Sequence, residues 1–332
     1  MGRAPGSETS YYARASVELR ESLTTALVPE TLRELQRKRP WRHFLVLARM
    51  VVVLGASMAG AAVLDRWYEW VPCSIVAGFT VFGFTVMLHE VVHNTVFANR
   101  PVANRILGWL YAFPSGISRT QFTRWHLDHH AQLGDAEADP KRHHLSPKRN
   151  ARWLKALYMT PALFFIYFRA AARETATYPA ELRARIARER VVTVVGQLAI
   201  LGVIAATAGW WIAFKVYMVP YFLVFPIAFV LNRLGQHYDI DPRDPAKWST
   251  LMAPSRLWDF AFLWSSYHLE HHYFPNVPFY SLRRLHMELR PFFRRHGMRP
   301  RTYRHILWQW FVVNRPPHAN WDELDESGDG VS

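Results

Sequence analysis

The sequence predicts an all-α integral membrane protein, in which four transmembrane helices carry a cytosolic helical cap holding a histidine-rich di-metal site. Three observations predict it: four apolar runs of bilayer-spanning length, a one-sided distribution of Lys and Arg, and three histidine-rich boxes at or beyond the ends of those runs. The runs His43 to Leu64, Trp70 to Leu88 and Val191 to Phe214 meet the ~20 residues that a spanning helix needs, and the shorter run Val216 to Leu231 nearly does. A mean hydropathy of -0.08 is low for a chain of spans alone. The spans therefore share the chain with a water-exposed part, mostly residues 94 to 190 and 235 to 332.

The net charge of +14 is sorted by topology. All but three of the 40 Lys and Arg residues lie in residues 1–42, 94–190 and 232–332. Arg49 falls inside the first span, and Arg66 and Lys215 fall in the two short turns. With four spans the rich segments share one side, which the positive-inside rule assigns to the cytoplasm. Both termini and the histidine boxes are then expected there. The charge reads as orientation and attraction to anionic headgroups, and no nucleic-acid partner is expected.

Residues 1 to 42 lack an apolar signal core and are rich in arginine, so the first span is expected to act as its own insertion signal. Residues 1 to 15 read as disordered. The pattern Val17, Leu19, Leu23, Leu27, then Leu32 and Leu35 across Pro29, predicts two short amphipathic helices, resting either on the headgroups or against the cap. The first span returns through Arg66 to Glu69 into the second, which ends by presenting His89 and His93 on one face, one turn apart. Buried imidazoles at a membrane boundary are expensive to hold without a partner, so this pair is a candidate metal site.

Residues 94 to 116 read as re-entrant or interfacial. Residues 150 to 172 predict an aromatic-rich helix or helix pair split at Pro161, and Arg169 to Arg190 a basic helical lead into the third span. The fourth span, after a minimal turn at Lys215, carries Pro220 and Pro226 and should be kinked. It delivers Asn232, Arg233, Gln236 and His237 to the side of the first box. Leu257 to Tyr267 predicts an apolar helix, and Ser281 to Arg295 an interfacial helix with Leu282, Leu285, Leu289 and Phe292 on one face. Residues 317–332 form an acidic tail expected to be disordered.

The boxes carry the chemistry. In His268-Leu269-Glu270-His271-His272, at ~100° per residue of helix, His268 can share an ion with either later histidine, whereas His271 and His272 diverge and favour different ions. The same form recurs at His126-Leu127-Asp128-His129-His130. With His89, His93 and His237, nine of the sixteen histidines suit two metals of four to five ligands each. Cys73 is the sole cysteine, read as a small apolar filler, so any metal here is held by nitrogen and oxygen. Asp135, Glu137 and Asp139 are candidate acceptors for the outward imidazole N–H groups, or a solvated acidic turn. Trp125, Trp264 and Tyr267 are candidates for a substrate tunnel or for the core. Arg119 and Arg124 are candidates for a phosphate or carboxylate, and His143 and His144 read as surface. His89-Glu90-Val91-Val92-His93 also matches a zincin helix with Glu90 as base, but an intramembrane zinc protease leaves the other boxes and His237 unexplained.

The three boxes, with Tyr273-Phe274-Pro275-Asn276-Val277-Pro278 after the last, resemble the membrane fatty acid desaturase family across roughly residues 78 to 290. The resemblance implies one domain over 43–316, a mushroom of four spans beneath a cytosolic cap, and two non-haem irons. It further implies dioxygen as oxidant, an acyl lipid substrate within the membrane, and a separate electron donor of ferredoxin or cytochrome b5 type. Hydrogen would leave two adjacent methylenes to give a double bond; a lipid or carotenoid hydroxylase or ketolase would use the same ligands. His237 matches the extra histidine that follows the last span in that family. Stearoyl-type acyl-CoA desaturases place an asparagine four residues before it, where this chain has Arg233, so the resemblance does not extend to that contact or to an acyl-CoA substrate.

Overall fold

The computed structural model describes residues 10–135, 137–140, 147 and 149–316. Three short helices, α1 (Tyr11–Ala15), α2 (Val17–Ala26) and α3 (Pro29–Leu35), precede two long ones, α4 (Pro40–Val63) and α5 (Trp67–Val92). Then come α6 (Pro101–Ala112), α7 (Arg119–Gln132), α8 (Arg152–Leu157), α9 (Ala162–Ala176) and α10 (Ala180–Ala208). A last long helix, α11 (Trp210–His237), is followed by α12 (Arg256–Ala261), α13 (His268–Tyr273), α14 (Phe279–Arg295) and α15 (Tyr303–Leu307). Among the described residues the only β pairing is the isolated bridge Met252–Arg301.

Four helices, α4, α5, α10 and α11, are long and apolar enough to cross a membrane. They divide into an inner and an outer pair. Over half of the apolar stretch of α5 (56%) and α11 (61%) is buried by protein, against 17% for α4 and 6% for α10. A helix this apolar and this uncovered is suited to lipid rather than water. The tight α4–α5 and α10–α11 connections make each pair antiparallel, so the carboxyl ends of α5 and α11 point the same way. That end carries the cap.

The turn between the last two long helices differs from the sequence expectation. It falls at Gly209, whose φ of +88° suits glycine, and not at Lys215. Hydropathy alone does not locate it, because the apolar run continues through Trp210, Trp211 and Ile212. Lys215 is instead buried within α11, where its Nζ donates to the carbonyls of Ala62 (3.2 Å) and Leu64 (2.9 Å) at the end of α4. Those carbonyls have no partner inside their own helix, so a cation that reads as a loop residue closes one helix end from within another. The expected proline kink takes the form of wide π-helical turns over Phe214–Val224, in which the Phe225 N–H reaches back to the Pro220 carbonyl.

Of the two surfaces open to the amino-terminal helices, headgroups or cap, the structure has the cap, and α14, expected at the interface, packs there too. Leu19, Leu23, Leu27 and Leu35 share one core with Leu282, Leu285, Leu289 and Phe292 of α14. The amphipathic face was legible; its partner is protein. Residues expected to be disordered include Tyr11–Ala15, which form α1 because Ser10 caps the helix and the Tyr11 ring rests on Trp248, centroids 6.0 Å apart. Residues 1–9, the 317–332 tail, His143 and His144 lie outside the described residues. The split at Pro161 separates α8 from α9 as expected, and the 94–116 segment holds α6. The stretch from Leu257 is shorter than expected: α12 ends at Ala261, and Leu263 and Trp264 take left-handed conformations that turn the chain towards α13.

Lys215→Met should lower the thermal stability of the detergent-solubilised protein, because two buried carbonyls lose their donor. About 1–3 kcal/mol of destabilisation is expected, read as a lower unfolding temperature by tryptophan fluorescence.

Candidate metal centre

The histidines sit where four buried carboxylates tie their helices together. At the end of α5, Glu90 accepts from the Thr95 hydroxyl (2.6 Å) and from the Phe279 backbone N–H (3.0 Å), fastening the first box to the start of α14. The α7 helix is capped by Ser118. Glu189, reaching from α10, accepts from the Ser118 hydroxyl (2.6 Å) and the Thr120 N–H (2.8 Å) at the same end. Gln121 donates to the Ala171 carbonyl (2.8 Å) and the Thr175 hydroxyl (2.6 Å), holding α7 against α9. In α13, Glu270 accepts from His286 Nδ1 at 2.5 Å. The fourth, Asp139, accepts from His129 Nδ1 at 2.8 Å.

All nine predicted histidines converge, and they fall into two groups. His89, His93, His126, His130 and His271 form one; His129, His237, His268 and His272 form the other, with ligand nitrogens within 4.8 Å of one another in each. The division follows helix geometry. His126 joins His130, four residues on, and is parted from His129; His268 joins His272 and is parted from His271. Each of the two five-residue boxes thus feeds both groups, while His89 and His93 both join the first. In the second group His237 Nε2 lies 3.1 Å from His129 Nε2 and 3.0 Å from His268 Nε2, and His268 lies 3.1 Å from His272. In the first, His93 and His126 approach to 2.7 Å and His130 and His271 to 3.2 Å.

These spacings suit a metal. Nitrogens at ~2.0–2.1 Å from one ion stand about 3 Å apart along a coordination edge. Donation of His129 Nδ1–H to Asp139, and of His237 Nδ1–H to the Trp248 carbonyl (3.2 Å), turns the Nε2 lone pairs inward. Burial, and then the surrounding imidazoles, drive His130 well below the usual histidine pKa, which keeps it neutral and able to ligate. The nitrogen-only donor set admits zinc, copper, iron or nickel alike.

An apolar cavity of about 130 Å³ opens onto the histidines, with His89, His126 and His271 of the first group and His268 of the second in its wall. Phe82, Phe164, Phe225 and Phe229 supply much of its apolar lining. Such a space accepts an extended hydrocarbon better than a polar solute.

A family model for fatty acid desaturase matches residues 65–304. The chain belongs to the fatty acid desaturase family. It is similar to an sn-2 acyl-lipid omega-3 desaturase (ferredoxin), chloroplastic, of Arabidopsis thaliana, 25% identical over 74% of this chain and 60% of the other. A sphingolipid delta(4)-desaturase/C4-monooxygenase of Homo sapiens is 25% identical over 87% of this chain and 86% of its own. An omega-3 fatty acid desaturase, chloroplastic, of Brassica napus is 24% identical over 74% and 67%. The chain thus spans about 60% of the length of the Arabidopsis relative. Family membership displaces the zinc-protease reading, and Glu90 is engaged in joining α5 to α14.

Other candidates resolve individually in this desaturase-family chain. Asp139 reaches a histidine, whereas Asp135 caps the following turn through the N–H groups of Glu137 and Ala138. Trp125 and Tyr267 line the cavity; Trp264 packs on Phe279, ring centroids 5.6 Å apart. Asn232 donates to Ser265 (2.6 Å) and lines the cavity beside Arg233. Sequence reasoning missed His286 and Glu189. His286 sits on the apolar face of α14 between Leu285 and Leu289, and a lone histidine in a buried stripe is the signal that would have found it.

His286→Ala should leave the Glu270 carboxyl buried without its donor and lower stability by about 1–3 kcal/mol, while His286→Gln, which keeps an N–H, retains most of it. Thermal unfolding of the two variants compares them directly.

Proposed function

We propose that the protein is an O2-dependent acyl-lipid desaturase that introduces a C=C bond into an acyl chain. Two irons would be held by His89, His93, His126, His130 and His271, and by His129, His237, His268 and His272. The observation that carries this reading is the pair of imidazole groups at the wall of an apolar cavity. The family and the activities named for its relatives support it. Irons bound there would supply the power to activate dioxygen and take hydrogen from an unactivated methylene.

The chain's own residues supply position. The cavity phenylalanines hold an extended acyl segment and exclude water, so that adjacent methylenes face the histidine wall. Asp139 and the Trp248 carbonyl hold His129 and His237 in one tautomer. Overall, two C–H bonds become one C=C bond while one O2, two electrons and two protons become two waters. The electrons come from a separate donor of ferredoxin or cytochrome b5 type. The basic segments 1–42, 94–190 and 232–332 favour a cytoplasmic cap, with both termini and the histidines on that side.

Oxygen insertion by the same site is the second reading, supported by the human relative, whose name joins desaturase with C4-monooxygenase. Mass spectrometry of lipids from a host expressing the protein separates the two: desaturation removes two hydrogens, and hydroxylation adds an oxygen. The expected result is loss of two hydrogens, absent with His130→Ala or His268→Ala. Metal analysis should find two iron equivalents, with either substitution reducing the content. Asp139→Ala should weaken metal retention about 10–100-fold, whereas Asp135→Ala should leave it unchanged. A wild-type protein with no bound iron and no altered lipid would refute the proposal.

A further inference from the structure

Away from the histidines, arginines gather around one carboxylate where α6, the start of α7 and α10 meet. Arg105, Arg185 and Arg188 line an open pocket with Trp109, Val192 and Glu189. Arg119 stands beside it, within electrostatic reach of Arg105, Arg185 and Glu189. Its stem lies flat on α6 because residue 108 is glycine: a Cβ there would stand 2.7 Å from Arg119 Nε. That Nε is buried and has no hydrogen-bond partner among the described residues.

Glu189 offsets only one of these four positive charges. Its carboxylate already accepts from Ser118, the Thr120 N–H and the Thr120 hydroxyl, with Arg185 Nε at 3.4 Å. Four guanidiniums thus face one occupied carboxylate. Arg124, paired with Arg119 in the sequence reading, takes no part; it donates to Asp128 at 2.8 Å.

Depth identifies the ligand. Directly beyond Arg188, α10 exposes Val191, Val192, Val194 and Val195, and around Arg105 the α6 helix exposes Val102, Ile106 and Leu110. The pocket therefore lies at the edge of the apolar band, where lipid phosphates sit, with Trp109 as the kind of aromatic found at that level. A phosphate offers the oxygens that guanidinium forks match. A soluble acidic protein would instead need the cations on a surface clear of the apolar band.

We propose that this pocket binds the phosphate of an anionic membrane phospholipid, its acyl chains lying along the exposed valines of α10. The proposal requires the protein to span a membrane and is independent of the metal chemistry. The test uses the full-length, metal-loaded protein in nanodiscs of phosphatidylcholine and phosphatidylglycerol, with co-retained lipid counted by native mass spectrometry after release. Arg105→Gln/Arg188→Gln removes two exposed cations; Arg290→Gln/Arg294→Gln removes the same charge from the basic face of α14. Wild type and the α14 variant should retain phosphatidylglycerol preferentially, and the pocket variant should lose that preference roughly tenfold, with unfolding temperature and metal content unchanged. Equal loss in both variants would show diffuse attraction and overturn the site. So would equal retention of the two lipids by wild type, or displacement of phosphatidylglycerol by inorganic phosphate, which would assign the pocket to a soluble anion. A pocket variant that keeps its lipid but loses rate with a soluble electron donor would assign it to a protein partner.

Discussion

The structure depends on burying carboxylates where backbone, hydroxyl or imidazole donors meet them. Glu90, Asp139, Glu189 and Glu270 are almost fully buried, and a carboxylate so placed is tolerable only when hydrogen-bonded. Each is, and each accepts from a group on another element or in another segment of the chain. Glu90 joins α5 to α14, Glu189 joins α10 to the cap of α7, and Glu270 joins α13 to α14. Asp139 orients His129 from the segment that follows α7. The histidines are thereby held by helices whose relative positions are set by polar contacts, which have directions, and not by apolar packing alone, which has few. For a site needing nitrogens placed to a few tenths of an ångström, that difference decides whether the lone pairs meet.

A second consequence concerns where the site lies. The inner helices α5 and α11 run antiparallel to their neighbours and end together, so His89 and His93 from one and His237 from the other arrive at the same level. The rest of the ligand candidates come from α7 and α13, which belong to the cap. Between these two sources lies the apolar cavity, roofed by imidazoles and walled by phenylalanines. The boundary between the long apolar helices and the cap is thus also the place where the apolar cavity and the imidazoles adjoin.

Much of this was legible in the sequence because it depends on local periodicity. Apolar run length marked the four spans, and the 100° step of the helix separated His271 from His272 and joined each to a different set. What was not legible depends on partners distant in sequence. Hydropathy runs through Trp210 to Phe214 without a break, so the reversal at Gly209 is hidden, and Lys215 reads as a loop cation although it closes α4 from inside α11. An amphipathic stripe such as Leu19, Leu23 and Leu27 states which face is buried, never against what. Here the protein core supplied the surface that a headgroup layer would also have supplied. Glu189 looked like one more charge in a basic stretch, because its donors lie some seventy positions earlier.

The placement of Glu189 also connects the two ends of the molecule's chemistry. It lies on the third long helix just before the apolar band, and it caps the helix that carries His126, His129 and His130. On one side of that cap, Ser115, Gly116, Ile117 and Phe122 line the apolar cavity; on the other, Arg119 faces the arginine cluster. The α7 amino end is therefore a shared wall between an apolar space beside the histidines and a cationic pocket at the membrane boundary. A charge change at the pocket would act on α7 through the Glu189 contacts, and the histidines stand two to three turns further along the same helix. Lipid at the pocket would reach α7 directly through Arg119, and α10 through the contacts of Glu189 with Ser118 and Thr120.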